Sequence, residues 1–168
     1  MRNLKSFKLF ESKSEIDLDA VCSLYEDVKS IEYILEEKGI SPSYRLRVTC
    51  IPHGSLQKEV RVFRVRSCDE IKGFLNRDTV VLREFFIHIE NWTKPDVDVL
   101  TFFQVNPLKR WSPVNQIMNR DDFKIEVDKY YDLLKEHLDY VGEEHITFKG
   151  YTPPQNYEIL ISKDFFKK

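Results

Sequence analysis

The sequence is poor in glycine and lacks the glycine-rich motifs that hold phosphate groups. Its 168 residues include five glycines, and no G-x-x-x-x-G-K-S/T, G-x-G-x-x-G or G-x-S-x-G run is present. Phosphate-cradling loops need glycine where the backbone closely approaches the ligand. The sequence therefore does not support nucleotide-dependent chemistry, and we predict no cofactor.

Cysteine is also scarce. Cys22, Cys50 and Cys68 are widely spaced and form no C-x-x-C pair. An odd number of isolated cysteines favours reduced, mostly buried thiols in a cytosol-like compartment over a disulfide framework. His53 lies close to Cys50, but no second ligand pair at zinc spacing exists, so no metal site is predicted.

Long hydrophobic runs are missing as well. No apolar run approaches the ~18 residues that a membrane span requires. The N-terminus lacks the continuous apolar core of a secretory signal. We therefore expect a cytoplasmic protein without membrane contact.

Charge is abundant and segregated along the chain. Residues 11–41 and residues 121–144 each carry nine acids against three lysines. Residues 41–67 between them carry five arginines and one lysine against the single acid Glu59. The formal net charge of −2 therefore conceals two acidic segments and one basic segment.

Hydrophobic periodicity gives the fold class. Apolar residues at intervals of three and four predict helices over 16–38 and 121–141, with a short helix over 67–75. Alternating or β-rich segments predict strands over 44–51, 59–66, 80–90, 97–105, 145–149 and 157–162. The alternation slips at Val62 and Phe63, where we expect a β-bulge. We predict an α+β fold, a mainly antiparallel sheet of five to six strands with two main amphipathic helices packed on one face. We predict that residues 1–12 form an N-terminal arm and that residues 13–168 form one domain.

The arginines of the basic segment are the first candidate site. On the predicted strands they recur at alternate positions, which aligns several side chains on one sheet face. Planar guanidinium groups suit phosphate or carboxylate ligands. Alternatively, these arginines pair across strands with acids such as Glu59 and Glu84. The candidate residues for binding an anion or a partner are Arg45, Arg47, Arg61, Arg64 and Arg66.

Histidine chemistry is the alternative. His145-Ile-Thr147 resembles one half of the His-x-Thr/Ser signature of the two-histidine phosphoesterases, whose histidines act as general acid and base. The resemblance implies a small phosphodiesterase that uses His88, His145 and Thr147. In His88-Ile-Glu90, however, a carboxylate stands where the signature has a hydroxyl.

Large apolar and aromatic side chains near the chain start and near predicted turns form a candidate protein interface. Some could equally close the ends of the core or, at the N-terminus, fold back onto the domain. The interface candidates are Leu4, Phe7, Phe10, Trp92 and Trp111.

The opening Met1-Arg-Asn-Leu-Lys-Ser-Phe-Lys-Leu-Phe-Glu-Ser12 resembles the first residues of many small proteins encoded by large tailed bacteriophages. The resemblance implies a phage or bacterial origin, with a virion component or a host-interaction protein as the expected role and host cytoplasm or virion as the location. It carries no catalytic residues. The sequence as a whole predicts a non-enzymatic structural or protein-binding module, with a protein partner favoured over nucleic acid. The alternatives are the two-histidine enzyme and an anion- or nucleic-acid-binding domain.

Overall fold

A computed structural model describes residues 16–92, 116–151 and 155–168. They form one five-stranded sheet in the order β2-β1-β3-β5-β4, in which every neighbouring pair is antiparallel. The predicted α+β class is confirmed. The helices are α1 (Leu18–Ser30), α2 (Tyr33–Glu36), α3 (Cys68–Leu75) and α4 (Arg120–His137), and the strands are β1 (Ser43–Cys50), β2 (Glu59–Val65), β3 (Val80–Glu90), β4 (Ile146–Tyr151) and β5 (Asn156–Ser162).

The first predicted helix is two helices in the structure. The Asp17 side chain caps α1 by accepting hydrogen bonds from the backbone N–H groups of Asp19 and Ala20, at 3.0 and 3.2 Å. The helix ends where the Ser30 hydroxyl donates to the Asp27 carbonyl, at 2.6 Å. A side chain that competes for a helix carbonyl favours a break in the backbone ladder. The short helix α2 then continues the segment towards Gly39, which has a φ of 75°.

The second predicted helix ends earlier than the apolar pattern suggested. The α-helix α4 stops at His137, and a 3₁₀ turn over Asp139–Val141 carries the chain to Gly142. Val141 remains buried, so the apolar stripe continues although the helix type changes. The hairpin predicted from the last two strands is confirmed as β4 and β5, with β4 at one edge of the sheet.

The core lies between the helices and one face of the sheet. Alternate residues of β1 and β3 are fully buried there, including Leu46, Val48 and Ile87. The helices α1 and α4 contribute side chains such as Val28 and Leu134. Burial of each such side chain stabilises the fold by roughly 1.5–3 kcal/mol relative to exposure.

The strand register contains one shift, and it is not at the predicted position. β2 pairs with β1 continuously from Glu59 to Val65, so no bulge interrupts Val62 and Phe63. The shift lies instead between β1 and β3, at Arg47 and Val48. The alternation in β2 slips because Val62 is an exposed apolar side chain on an edge strand.

The prediction of reduced thiols is wrong for Cys22 and Cys68, which form a disulfide. The helices α1 and α3 pack together, which brings the two Cα atoms to 5.3 Å, within the range for such a bridge. Cys50 is a buried free thiol, as expected for a small core residue.

Two predicted elements, the N-terminal arm over residues 1–12 and the strand over 97–105, lie outside the described residues. Within residues 16–92, 116–151 and 155–168, no helix combines the length and apolar character needed to cross a membrane.

Candidate anion-binding site

The sheet face opposite the helices carries the polar side chains of the candidate site, and we call it the arginine face. Alternation along each strand assigns its members. The cross-strand register then places Arg45 opposite Arg64 on β2 and opposite Phe86 on β3, and it places His88 opposite Ser43 and Glu158. The arginine face includes Ser43, Arg45 and Arg47 of β1, Val60, Val62 and Arg64 of β2, Glu84, Phe86, His88 and Glu90 of β3, Glu158 and Leu160 of β5, and Thr147, Lys149 and Tyr151 of β4.

Arg47 is neutralised within this face. Its guanidinium group forms an ion pair with Glu84, and its Nη2 atom lies 3.7 Å from Oε2 of Glu158. The guanidinium carbon also lies 4.9 Å from the centroid of the Phe86 ring. Tyr151 donates a hydrogen bond to the same Glu158 carboxylate at 3.1 Å. Arg47 therefore acts as a structural residue that covers Phe86, whose exposure is 1%.

Arg45 and Arg64 are arranged differently. They are direct cross-strand partners, and their side chains share one face. Arg45 donates from Nε to the Ser43 hydroxyl at 3.2 Å. Among the residues that the structure describes, no carboxylate lies within ion-pair distance of either guanidinium group. Like charges directly opposite each other destabilise a sheet, so this pair is suited to an anion between the two groups.

His88 and Glu90 form the inner wall. The His88 side chain is only 7% exposed, and its Nε2 atom lies 2.6 Å from Oε1 of Glu90. Because a carboxylate only accepts, Nε2 carries a proton. The Nδ1 atom is buried without a hydrogen bond; its nearest acid oxygen, on Glu158, is 3.6 Å away, which is too long.

The charged groups around the cleft lower the pKa of Glu90. The hydrogen bond from His88 lowers the pKa of Glu90 below its ordinary value of 4.5, against the opposing effect of burial. The charges of His88, Arg45 and Arg64 lower that pKa further. Glu90 is therefore ionised at neutral pH and offsets one of the two arginine charges.

The side chains enclose a cleft of about 250 Å³. Arg45 and Arg64 against ionised Glu90 leave a formal charge of +1 on these three groups. The volume is below the roughly 300–1,000 Å³ of sites that enclose a whole drug-sized ligand. The cleft fits one anionic group of a larger molecule. Its lining residues are Gly39, Ser41, Ser43, Arg45, Arg64, His88, Glu90 and Trp92.

The structure separates the remaining predicted arginines from this cleft. Arg61 is the cross-strand partner of the core residue Val48, so it lies on the opposite face, where it pairs with Glu59 at 3.0 Å. Arg66 follows the end of β2 and is exposed; its backbone N–H donates to Glu70 at 2.7 Å. Of the five candidate arginines, Arg45 and Arg64 line the cleft.

The two histidines of the alternative enzyme are not brought together. His88 lies opposite Glu158, whereas His145 precedes β4, whose first residue Ile146 pairs with Ile161. Three residues along β5 separate these positions by about 10 Å, before the additional strand spacing is counted. The His145 ring packs against Phe165, with centroids 6.0 Å apart. Thr147 is exposed on edge strand β4.

Among the predicted interface residues, Trp92 is described and lines the cleft. The others, Leu4, Phe7, Phe10 and Trp111, lie outside the described residues. Sequence reasoning missed Ser41, Ser43 and the role of Glu90. The signal for Glu90 was its spacing, since residues 88 and 90 of one strand share a face.

Comparison of the chain with protein-family models, curated proteins and solved structures found no match. Within the described ranges, no group of three or more histidine, cysteine or acidic side chains is arranged to hold a metal ion.

Proposed function

We propose that this chain is a non-enzymatic binding module that holds an anionic group of a protein partner between Arg45 and Arg64. One observation carries the proposal. Arg45 and Arg64 are direct cross-strand partners that both line the cleft, and the described part of the chain supplies no carboxylate at ion-pair distance from either. Each planar fork can donate two parallel hydrogen bonds to a carboxylate or phosphate.

The inner wall supports the same function. Ser43 already holds Nε of Arg45, which restricts the rotamers of that side chain before a ligand arrives. A preorganised donor loses less conformational entropy on binding. Glu90 is held by His88, so its carboxylate is directed to the imidazole. An anion in the cleft can therefore engage Arg45 and Arg64 without displacing an internal ion pair.

The charge pattern favours a single anionic group over a nucleic-acid backbone. Binding along a phosphate chain draws affinity from several unpaired cations in a row. On this face Glu84 and Glu158 neutralise Arg47, and Glu90 lies beside Arg45 and Arg64. The acids interrupt any continuous basic path.

The experiment is a titration of the protein with acetate and with inorganic phosphate at low ionic strength, followed by heteronuclear NMR. We expect amide shifts confined to residues around Arg45, Arg64 and His88. Charge-assisted hydrogen bonds contribute about 1.5–3 kcal/mol each, so Arg45→Gln or Arg64→Gln should weaken binding by about tenfold or more.

Arg83→Gln is the matched control, because it removes the same charge from an exposed site on β3 outside the cleft. It should leave both affinities unchanged. Equal weakening by all three variants would mean that only net charge matters, and the proposal would fail. Steeply salt-dependent binding of single-stranded DNA that also depends on Arg47 would favour the nucleic-acid alternative.

A further inference from the structure

Strand β2 is at the edge of the sheet and borders the cleft. It pairs with β1 on one side, and no strand among the described residues pairs with the other. An edge strand presents the N–H and C=O groups of alternate residues outward, which makes it a template for another extended chain. Seven residues, Glu59–Val65, form this edge.

Two exposed positions of edge strand β2 carry apolar side chains. Val60 is 54% exposed and Val62 is 45% exposed, and both share the arginine face with Arg64. The opposite edge strand β4 differs, since its exposed positions include Thr147 and Lys149. Lysine is a common protection of sheet edges against pairing. β2 contains no lysine or proline, and its charged residues are Arg64 on the arginine face and the Glu59–Arg61 pair on the opposite face.

We infer that the outer edge of β2 accepts an extended segment of a protein partner as a sixth, antiparallel strand. The segment carries the pattern acid-x-apolar-x-apolar, in chain order. Its acid faces Arg64 and the cleft, and its two apolar side chains cover Val62 and then Val60. The acidic position rests on the proposed function of the cleft, whereas the strand pairing does not.

The geometry of antiparallel sheets fixes this pattern. A partner strand runs opposite to β2, so the residue that faces Arg64 comes first. Directly opposed side chains have Cβ atoms about 4.5–5.5 Å apart, within reach of an ion pair with Arg64. In such strand addition the main-chain hydrogen bonds supply affinity, and the alternate side chains supply specificity.

A second copy of this chain matches the edge less well. The side chains of β2 on the arginine face are Val60, Val62 and Arg64, and none of them is acidic. Two β2 strands paired with their arginine faces on the same side therefore leave Arg64 without an anion. Charge complementarity favours a different, acidic partner.

The test is a selection of random short peptides displayed on a carrier against the full chain. The winning sequences are then made as end-blocked synthetic peptides, and their affinities are measured. We expect enrichment of acid-x-apolar-x-apolar sequences. Val62→Lys and, separately, Val60→Lys should weaken these peptides by about tenfold or more, because a buried ammonium group is costly to desolvate. Amide hydrogen exchange in β2 should slow in the complex.

Thr147→Lys on the other edge strand is the matched control and should not change the affinity. Winning sequences without the pattern, or peptides that bind Val62→Lys as tightly as the unaltered protein, would overturn the inference. The molar mass of the protein in solution is measured as well. A dimer that Val62→Lys converts to a monomer would identify a second copy as the occupant and would also overturn the inference.

A glutamine analogue of each peptide separates this inference from the proposed function. If the analogue binds as tightly as the acidic peptide and its binding is still weakened by Val62→Lys, strand addition is supported and anion recognition is refuted. If acetate and phosphate bind through Arg45 while no peptide depends on Val62, the cleft stands and strand addition falls.

Discussion

Replacement of Arg47 by glutamine should destabilise the fold without weakening anion binding. The guanidinium group pairs with Glu84 and with Glu158, and it lies over the Phe86 ring. The side chains of Arg47, Glu84 and Glu158 are 26, 23 and 13% exposed, so all three are largely withdrawn from water. Glutamine removes the charge and leaves two carboxylates without their shared cation.

The partial burial of these three side chains determines how much stability Arg47→Gln should lose. Exposed ion pairs contribute about 0–1 kcal/mol. Breaking a fully buried pair costs about 3–5 kcal/mol. This partly buried triad lies between those limits, and loss of the cation–π contact adds about 0.5–1 kcal/mol. We therefore expect Arg47→Gln to lower the free energy of unfolding by about 2–3 kcal/mol.

Arg45→Gln provides the contrast. It removes one hydrogen bond to Ser43, but it also relieves repulsion from Arg64. Its expected effect on the free energy of unfolding is within about 0.5 kcal/mol, as for most substitutions away from buried networks.

Urea unfolding measures both values. With a slope of about 2 kcal/mol per molar urea, the midpoint of Arg47→Gln should fall by about 1–1.5 M, and that of Arg45→Gln should stay within about 0.3 M. Phosphate titration should show the reverse order of effects. If Arg45→Gln destabilises the protein as much as Arg47→Gln, the division into structural and binding arginines is refuted.

Three further predictions concern stability. Glu90→Gln should lower the thermal unfolding midpoint near pH 7. Because the pKa of Glu90 is lowered in the folded state, its carboxylate stabilises the fold above about pH 4.5. The midpoints of the variant and of the unaltered protein should therefore converge as pH falls below that value. Cys22→Ser should lower the free energy of unfolding in urea by about 2–4 kcal/mol, because the disulfide links residues 46 positions apart. Added reductant should not destabilise this variant further. Asn91→Ala should lower the free energy of unfolding by about 2–4 kcal/mol. The fully buried amide donates hydrogen bonds to the Met118 carbonyl and the Gln155 side chain, and it accepts one from the Met118 N–H. A smaller loss would show that water replaces the amide.

Hydrophobic periodicity predicted most of the described helices and strands, because each buried position needs an apolar side chain and the spacing of those positions reveals the type of element. β3 was predicted over residues 80–90 and occupies Val80–Glu90. The break after Ser30 was missed, since it depends on a local hydrogen bond to a helix carbonyl that apolar spacing does not encode. The Cys22–Cys68 bridge was missed for another reason. It requires the packing of α1 on α3, and no local pattern contains that contact.

The candidate site was predictable in part. Alternation predicted that several arginines of β1 and β2 share one face, but it could not assign their partners, because those depend on strand register. Arg61 follows the same rule, and its odd-numbered position in β2 puts it on the helix side. His88 and Glu90 share a face by the same alternation.

The register shift between β1 and β3 explains how one sheet holds both a core and this site. On β3 the buried helix-side residues are Val80 and Leu82 before the shift, and Phe85, Ile87 and Ile89 after it. Arg83 is the additional residue that changes the alternation. With an uninterrupted register, burial of Leu82 would also turn Glu84, Phe86 and His88 towards the core. The shift instead directs Glu84 to Arg47 and His88 to the cleft, while both halves of β3 keep their apolar side chains buried. Since Arg47 takes Glu84 as its partner, Arg45 and Arg64 are the arginines of this face that have no carboxylate at ion-pair distance among the described residues.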